Sequence, residues 1–105
     1  MQRTEVPSDL LESVKNYLNI TWSDSATDDN VRGMIASASV YLDGKGGGTL
    51  DYEKDGLPRT LLMEYVRYMR DSALDVFETN YTALILGMQN ERLMADVEST
   101  DKAEG

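Results

Sequence analysis

The sequence predicts an all-α fold: a small helical bundle of three to four helices with a long Gly-rich acidic interhelical loop and a flexible C-terminal tail. Three observations predict it. Apolar residues recur at helical spacing in the windows 10–18, 31–42 and 62–77. Each window opens on a capping cluster or on a first-turn proline. Between the second and third lies "DGKGGGTLDYEKDG", residues 43–56, in which five of fourteen residues are glycine, so this stretch joins helices instead of extending one. At 105 residues the chain reads as one domain, 1–97, followed by a disordered tail, 98–105. A domain of this size buries roughly 60 to 65% of its unfolded surface, so its core is small.

The first helix is expected over residues 8–19, because Leu10, Leu11, Val14, Tyr17 and Leu18 follow the i, i+1, i+4, i+7, i+8 spacing of one helical stripe. Asp9, with Glu12 three positions on, is one candidate for capping its orphan amides; Ser8 is the other. In "ITWSDSATDD" Ile20 and Trp22 alternate with polar residues, which predicts a short extended turn that pins the lone Trp near the core. The second helix should open at "TDDN", capped by Thr27 or Asp28, with acids facing the positive end of its dipole. Its stripe is Val31, Met34, Ile35, Ala38 and Leu42. Gly33, Ala36, Ser37, Ala38 and Ser39 make it slim, permitting close approach of a neighbouring helix or subunit.

The third helix starts at "LPRT", where Pro58 in the first turn gives up an amide that would have no partner. It is expected to run to about Glu78, with Leu62, Tyr65, Val66, Met69, Ala73, Val76 and Phe77 as a continuous spine. Beyond "TNY", Leu84, Ile85, Met88 and Leu93 predict a short fourth helix interrupted or ended near Gly87, with 93–97 either helical or extended. The final "ESTDKAEG" contains no apolar residue larger than Ala103, hence the mobile tail.

The loop invites three chemical readings. A phosphate loop needs G-x-x-x-x-G-K-[ST] between a strand and a helix. Here Gly46 follows Lys45, Ser39 stands at the leading glycine, and a helix precedes. The dinucleotide fingerprint lacks its third glycine at Thr49. Asp51, Glu53, Asp55 and Gly56 do match positions 1, 3, 5 and 6 of an EF-hand, but position 12, which must be a bidentate carboxylate, is Leu62. The loop is therefore expected to make contacts through Leu50 and Tyr52 and to hold no metal or cofactor; loops of this length are usually functional.

Composition narrows the rest. The net charge of −9 is spread along the chain, −4 in residues 1–52 and −5 in 53–105, which disfavours grip on a polyanion. Neither Cys nor His occurs, which removes disulfides, thiolate nucleophiles, His-assisted triads and zinc sites built on nitrogen or sulfur. No catalytic residues stand out among nineteen acids, and the expectation is a protein that is not an enzyme. No apolar run has signal-peptide or bilayer-spanning length, which fits synthesis in a cytosol. Arg59, Arg67 and Arg70 share the third helix with Glu64, Asp71, Asp75 and Glu78, and Arg67 and Asp71 are spaced as an i, i+4 pair, so this is a mixed solvated face.

The short first helix, "YLNITW", the acid-capped slim helix ending "SVYLDG", the long loop and "DGLPRTLLMEYVRYMRDSALDVFETNY" together resemble the head-tail connector (adaptor) proteins of long-tailed double-stranded DNA phages and prophages. The resemblance covers residues 8–90. On it, Leu18, Ile20 and Trp22 correspond to a packed turn, 33–42 to the slim helix and 61–69 to the spine. It implies a homo-oligomeric ring, twelve-fold when assembled, in a family whose members can be monomeric until the portal templates them. The ring would be bound to the phage portal protein and meet a stopper or tail-completion protein in the virion, with DNA passing through. In that frame Leu50, Tyr52, Leu57, Arg59 and Arg67 are expected at subunit contacts. Tyr81, Leu84, Met88, Arg92 and Met94 are expected to engage the portal by helix-in-groove or strand addition. The alternative is a small helical DNA-binding or regulatory protein, against which stand the charge and a long loop where a tight turn is required.

Overall fold

Pro7 sets the start of the first helix. It precedes α1 (Ser8–Tyr17), and its carbonyl accepts the Leu11 amide at 3.0 Å; no side chain caps this end, so neither Asp9 nor Ser8 takes the expected role. The computed structural model describes the backbone of residues 1–104 and the side chains of residues 1–91. A 3-10 turn (Arg3–Glu5) precedes α1, and α2 (Ser25–Gly46), α3 (Leu57–Arg70) and α4 (Leu74–Glu104) follow it; every element among the described residues is helical.

α1 ends at Tyr17, two residues short of the expected Asn19. Asn19 takes the left-handed conformation at φ 61° and donates its amide to Asn16, while the Ile20 amide reaches back to Lys15 at 2.9 Å, a Schellman closure with Asn in the place usually held by Gly. Ile20 is thereby driven into the core, but Trp22, expected to be pinned there, stands 50% exposed. The reason is local. Asp24, not Thr27 or Asp28, caps α2: its Oδ2 accepts from the Thr27 amide at 3.3 Å and from Thr27 Oγ1 at 3.0 Å. Thr27 Oγ1 in turn accepts the Trp22 indole N–H at 3.3 Å, holding the ring against the outside of the cap.

α2 is the central element, touching α1, α3, α4 and the N-terminal 3-10 turn. Val31, Ile35, Ala38, Ser39 and Leu42 bury its inner face, as the stripe predicted apart from Met34, which is half-buried. The slimness is used within the chain: Arg3 lies over Gly33, where an added Cβ would come within 2.5 Å of the guanidinium. The helix also runs four residues further than expected and ends at Gly47 (φ 78°), whose amide, with that of Gly48, closes onto the Asp43 carbonyl. The interhelical loop is therefore residues 47–56.

α3 corrects the expected spine. Instead of running to Glu78, the helix stops at Arg70. Ser72 adopts φ 56°, its amide donates to Met69, and the Ala73 amide donates to Tyr68 at 2.8 Å, a second Schellman closure. Asp and Ser are weak helix formers, and a left-handed Ser costs of the order of 1 kcal/mol. That cost is offset by what the reversal buries. α4 folds back along α3, and Phe77, Ile85 and Met88 close the core made by Leu10, Leu11, Val14, Leu61, Leu62, Tyr65 and Val66. Val76, assigned to the same stripe, is left on the outside.

Gly87 does not end the fourth helix. An added Cβ there would sit 4.0 Å from Leu57 Cδ2, so Gly87 is level with the first residue of α3, and α4 continues through 93–97 and on to Glu104; Gly105 lies outside the described residues. The 31 residues of α4 span about 46 Å. With a Cα radius of gyration of 15.2 Å, against about 13 Å for a spherical domain of this length, the molecule is elongated, 54 × 28 × 19 Å. Among the described residues no helix is long and apolar enough to cross a membrane.

Candidate functional site

The loop is the first candidate, and Asp43 organises it. One carboxylate oxygen accepts the Leu50 amide at 3.0 Å and the Tyr52 hydroxyl at 2.5 Å; the hydroxyl also lies 3.2 Å from the Ser39 carbonyl. Leu50 rests on Gly46, where an added Cβ would be 3.0 Å from its Cδ1. Arg59 ties the other side, donating from Nη1 to the carbonyls of Tyr52 (3.1 Å) and Glu53 (3.3 Å). Tyr52 is thus buried and committed to its own chain. Replacing it with Phe keeps the ring and deletes a bond to a charged acceptor, so Tyr52→Phe is expected to lower stability by about 2 kcal/mol in urea unfolding. A change below a few tenths would mean that the loop is not stapled.

Of the EF-hand look-alikes, Asp51 spends its Oδ1 on the Glu53 amide at 3.0 Å, and Asp55 is exposed, 4.0 Å from Arg59 Nε. No group of three or more acids that could hold a metal ion occurs among the described residues.

The second candidate is the helical contact set. Leu57 is half-buried against the core, and Met88 lies inside it. Arg67 is exposed and pairs with Glu64 at 3.0 Å, one turn back, so the expected pair with Asp71 does not form; Asp71 is occupied in ending α3. Tyr81 donates its hydroxyl to the same Glu64 carboxylate at 2.8 Å. Leu84 is exposed; Leu86, also exposed, lies on nearly the opposite side of α4. The side chains of Arg92 and Met94 lie outside the described residues. The structure therefore brings Leu50, Tyr52 and Arg59 together as one packed loop and Arg67 with Tyr81 at Glu64, while Leu84 stands apart.

Sequence reading missed two features. The first is a cleft beside the exposed Trp22, lined also by Ile20, Asn30, Met34, Met69 and Arg70, whose Nη1 donates to the Leu18 carbonyl at 3.1 Å. Strict alternation in "ITW" puts Trp22 on the same side as the inward Ile20, so the pattern carries no signal of its exposure. The second is a cleft on the α2–α4 seam between Tyr41, Lys45, Glu78, Leu86 and Gln89, spanned by a bond from Gln89 Nε2 to the Lys45 carbonyl at 2.8 Å.

Two phenol–carboxylate bonds, Tyr41 to Glu78 on the α2–α4 seam and Tyr81 to Glu64 between α4 and α3, shape the electrostatics around α4. Burial, then the hydrogen bond to Glu78 at 3.0 Å, pushes Tyr41 up to about 12, and burial, then Glu64, does the same for Tyr81. Both groups are thus raised above the value near 10 of an unfolded tyrosine. The fold favours the neutral phenol, so the stabilisation is fully present below pH 10 and lost as pH rises from about 10 to about 12. The urea midpoint should fall across that window, and Tyr41→Phe/Tyr81→Phe should flatten the fall. An equal slope in the variant would refute the assignment.

No family model matches the chain, and no curated protein or solved structure is significantly similar to it.

Proposed function

We propose that this chain is a structural virion protein, a head-tail connector that forms a homo-oligomeric ring under the phage portal and carries the stopper or tail on its other face. Support comes from the residue pattern over 8–90 that resembles that family, and from one structural observation. The large apolar side chains left exposed are spread over the molecule, Tyr17 and Trp22 at either side of the α1–α2 link, Val40 on α2, and Val76, Leu84 and Leu86 on α4. Ring closure needs two unlike patches on one subunit, and apolar side chains exposed both near the α1–α2 link and on α4 offer candidates for them. The acidic surface suits a conduit through which DNA slides without sticking.

On this reading the portal meets α4 through Leu84, since Met88 is spent inside the subunit and Tyr81 is hydrogen-bonded to Glu64. The test is electron microscopy of purified portals mixed with the full chain. An added collar is expected, and it should be lost with Leu84→Asp, whose exposed position leaves the core intact. Bare portals at saturating protein would overturn the proposal.

A further inference from the structure

The turn between α3 and α4 carries backbone strain. Ser72 holds φ 56°, a left-handed conformation that serine adopts poorly, and Asp71, Ser72 and Ala73 include no Gly or Pro that would call for a reversal. The start of α4 is also poorly satisfied. Ala73 precedes Leu74, the first residue of the helix, and has no side-chain oxygen to cap the amides that follow. Both defects disappear if residues 71–73 become helical, because the amides of Leu74, Asp75 and Val76 then pair with the carbonyls of Arg70, Asp71 and Ser72.

The apolar pattern serves that straight form too. Leu62, Val66, Met69, Ala73 and Val76 share one face of an unbroken helix. In the folded-back chain Val76 leaves that face and stands 43% exposed. Asp71 and Ser72 are themselves exposed, so the core makes no direct demand on their conformation.

Straightening carries α4 off its own subunit. It uncovers the rings of Tyr41, Tyr65 and Tyr68, between which Phe77 sits, and a core that Ile85 and Met88 close. α4 fits that surface residue for residue, and the contacts are indifferent to which chain supplies it. A second straightened copy offers an α4 and needs one in return. The register allows the exchange: Leu57 with Gly87, Glu64 with Tyr81 and Tyr68 with Phe77 meet in antiparallel order, the order that two straight helices side by side across a two-fold axis would keep. Exchange keeps the buried contacts that offset the strain of the turn and removes the strain, and a short, strained hinge invites it.

We infer that residues 71–73 are a hinge through which α3 and α4 join as one helix, and that two copies of this chain exchange α4 reciprocally, each Phe77 filling the ring cluster of the other. The inference goes beyond the connector reading and does not depend on it.

The full chain carrying Leu57→Cys/Gly87→Cys tests it, since the sequence has no other cysteine and the two positions lie against each other. After refolding from urea at high concentration, part of the protein is expected to elute at doubled mass. A short bismaleimide should link the two positions between chains in that fraction, giving a dimer on a denaturing gel, and within one chain in the monomer fraction. Ser72→Ala, which disfavours the left-handed turn and favours helix, should raise the doubled-mass fraction severalfold, and Ser72→Gly, which relieves the turn, should lower it. Circular dichroism checks that each variant folds; should Ser72→Ala fail to, the comparison of Ser72 with Ser72→Gly still decides. Doubled mass with links only inside each chain would overturn the exchange, because the copies would then meet through another face. Monomer alone at every concentration would overturn it as well, as would a doubled-mass fraction insensitive to residue 72.

Discussion

Phe77→Ala is expected to lower the unfolding free energy by about 3 to 5 kcal/mol, the range for emptying a buried aromatic site. Phe77 is fully buried, and four rings from three helices converge on it: Tyr41 of α2 at 6.3 Å between centroids, Tyr65 and Tyr68 of α3 at 5.1 and 6.0 Å, and Tyr81 of α4 stacked at 4.9 Å. Edge-to-face pairs add about 0.5 to 1.5 kcal/mol beyond area burial, so truncation removes more than a large apolar volume. Small domains have only about 5 to 15 kcal/mol in hand, and the melting temperature should drop by roughly 15 to 25 °C. Val76→Ala, one residue away on the exposed side, should change stability by less than about 0.5 kcal/mol. Urea unfolding of both variants checks the pair. Equal, small effects would mean that α4 does not fold back on α3, since only the reversal gives these neighbouring positions opposite environments.

That reversal also shows where sequence reading stops. The stripe Leu62, Tyr65, Val66, Met69, Ala73, Val76, Phe77 keeps helical phase across the break, and no Gly or Pro marks it. Periodicity reports which face is apolar and is silent about whether the chain doubles back between two turns of the same phase. The apolar stripe likewise carried the first helix on to Asn19, although Asn before an apolar residue suits a left-handed exit; Ser72 carries no such mark. Glycines misled in the opposite sense. Gly44, Gly46 and Gly87 lie inside helices, Gly46 because Leu50 closes over it and Gly87 because Leu57 does. Propensity is a weak prior that tertiary contact overrides. At the candidate site, the residues chosen as apolar or aromatic in the loop were those best able to pack, and Tyr52 packs within its own subunit. The Trp22 cleft is not legible in the sequence, because alternation with Ile20 places the indole inward and only the bond to Thr27 holds it out.

The second large effect should come from a pair that apolar patterning passes over. Lys15 lies at i+4 from Leu11 and between Val14 and Leu18, on the core side of α1, and is only 2% exposed. Its ammonium sits 2.7 Å from Asp28 Oδ1 in the first turn of α2, and no neutral donor reaches that buried oxygen. Asp28→Asn keeps the shape and leaves a buried cation without its anion, which should cost about 3 to 5 kcal/mol. Lys15→Met should cost less, about 1 to 3 kcal/mol, because the Asp28 side chain retains 20% exposure and some access to water. The double variant removes both charges, so its loss should fall well below the sum, by about 2 to 3 kcal/mol of coupling. Strict additivity in urea unfolding would show that the two groups do not share one desolvated site. The pair is the polar tie between α1 and α2, and the link it braces, residues 18–24, carries Trp22. Asp28→Asn should therefore also loosen the indole environment, which Trp22 emission reads before any global unfolding.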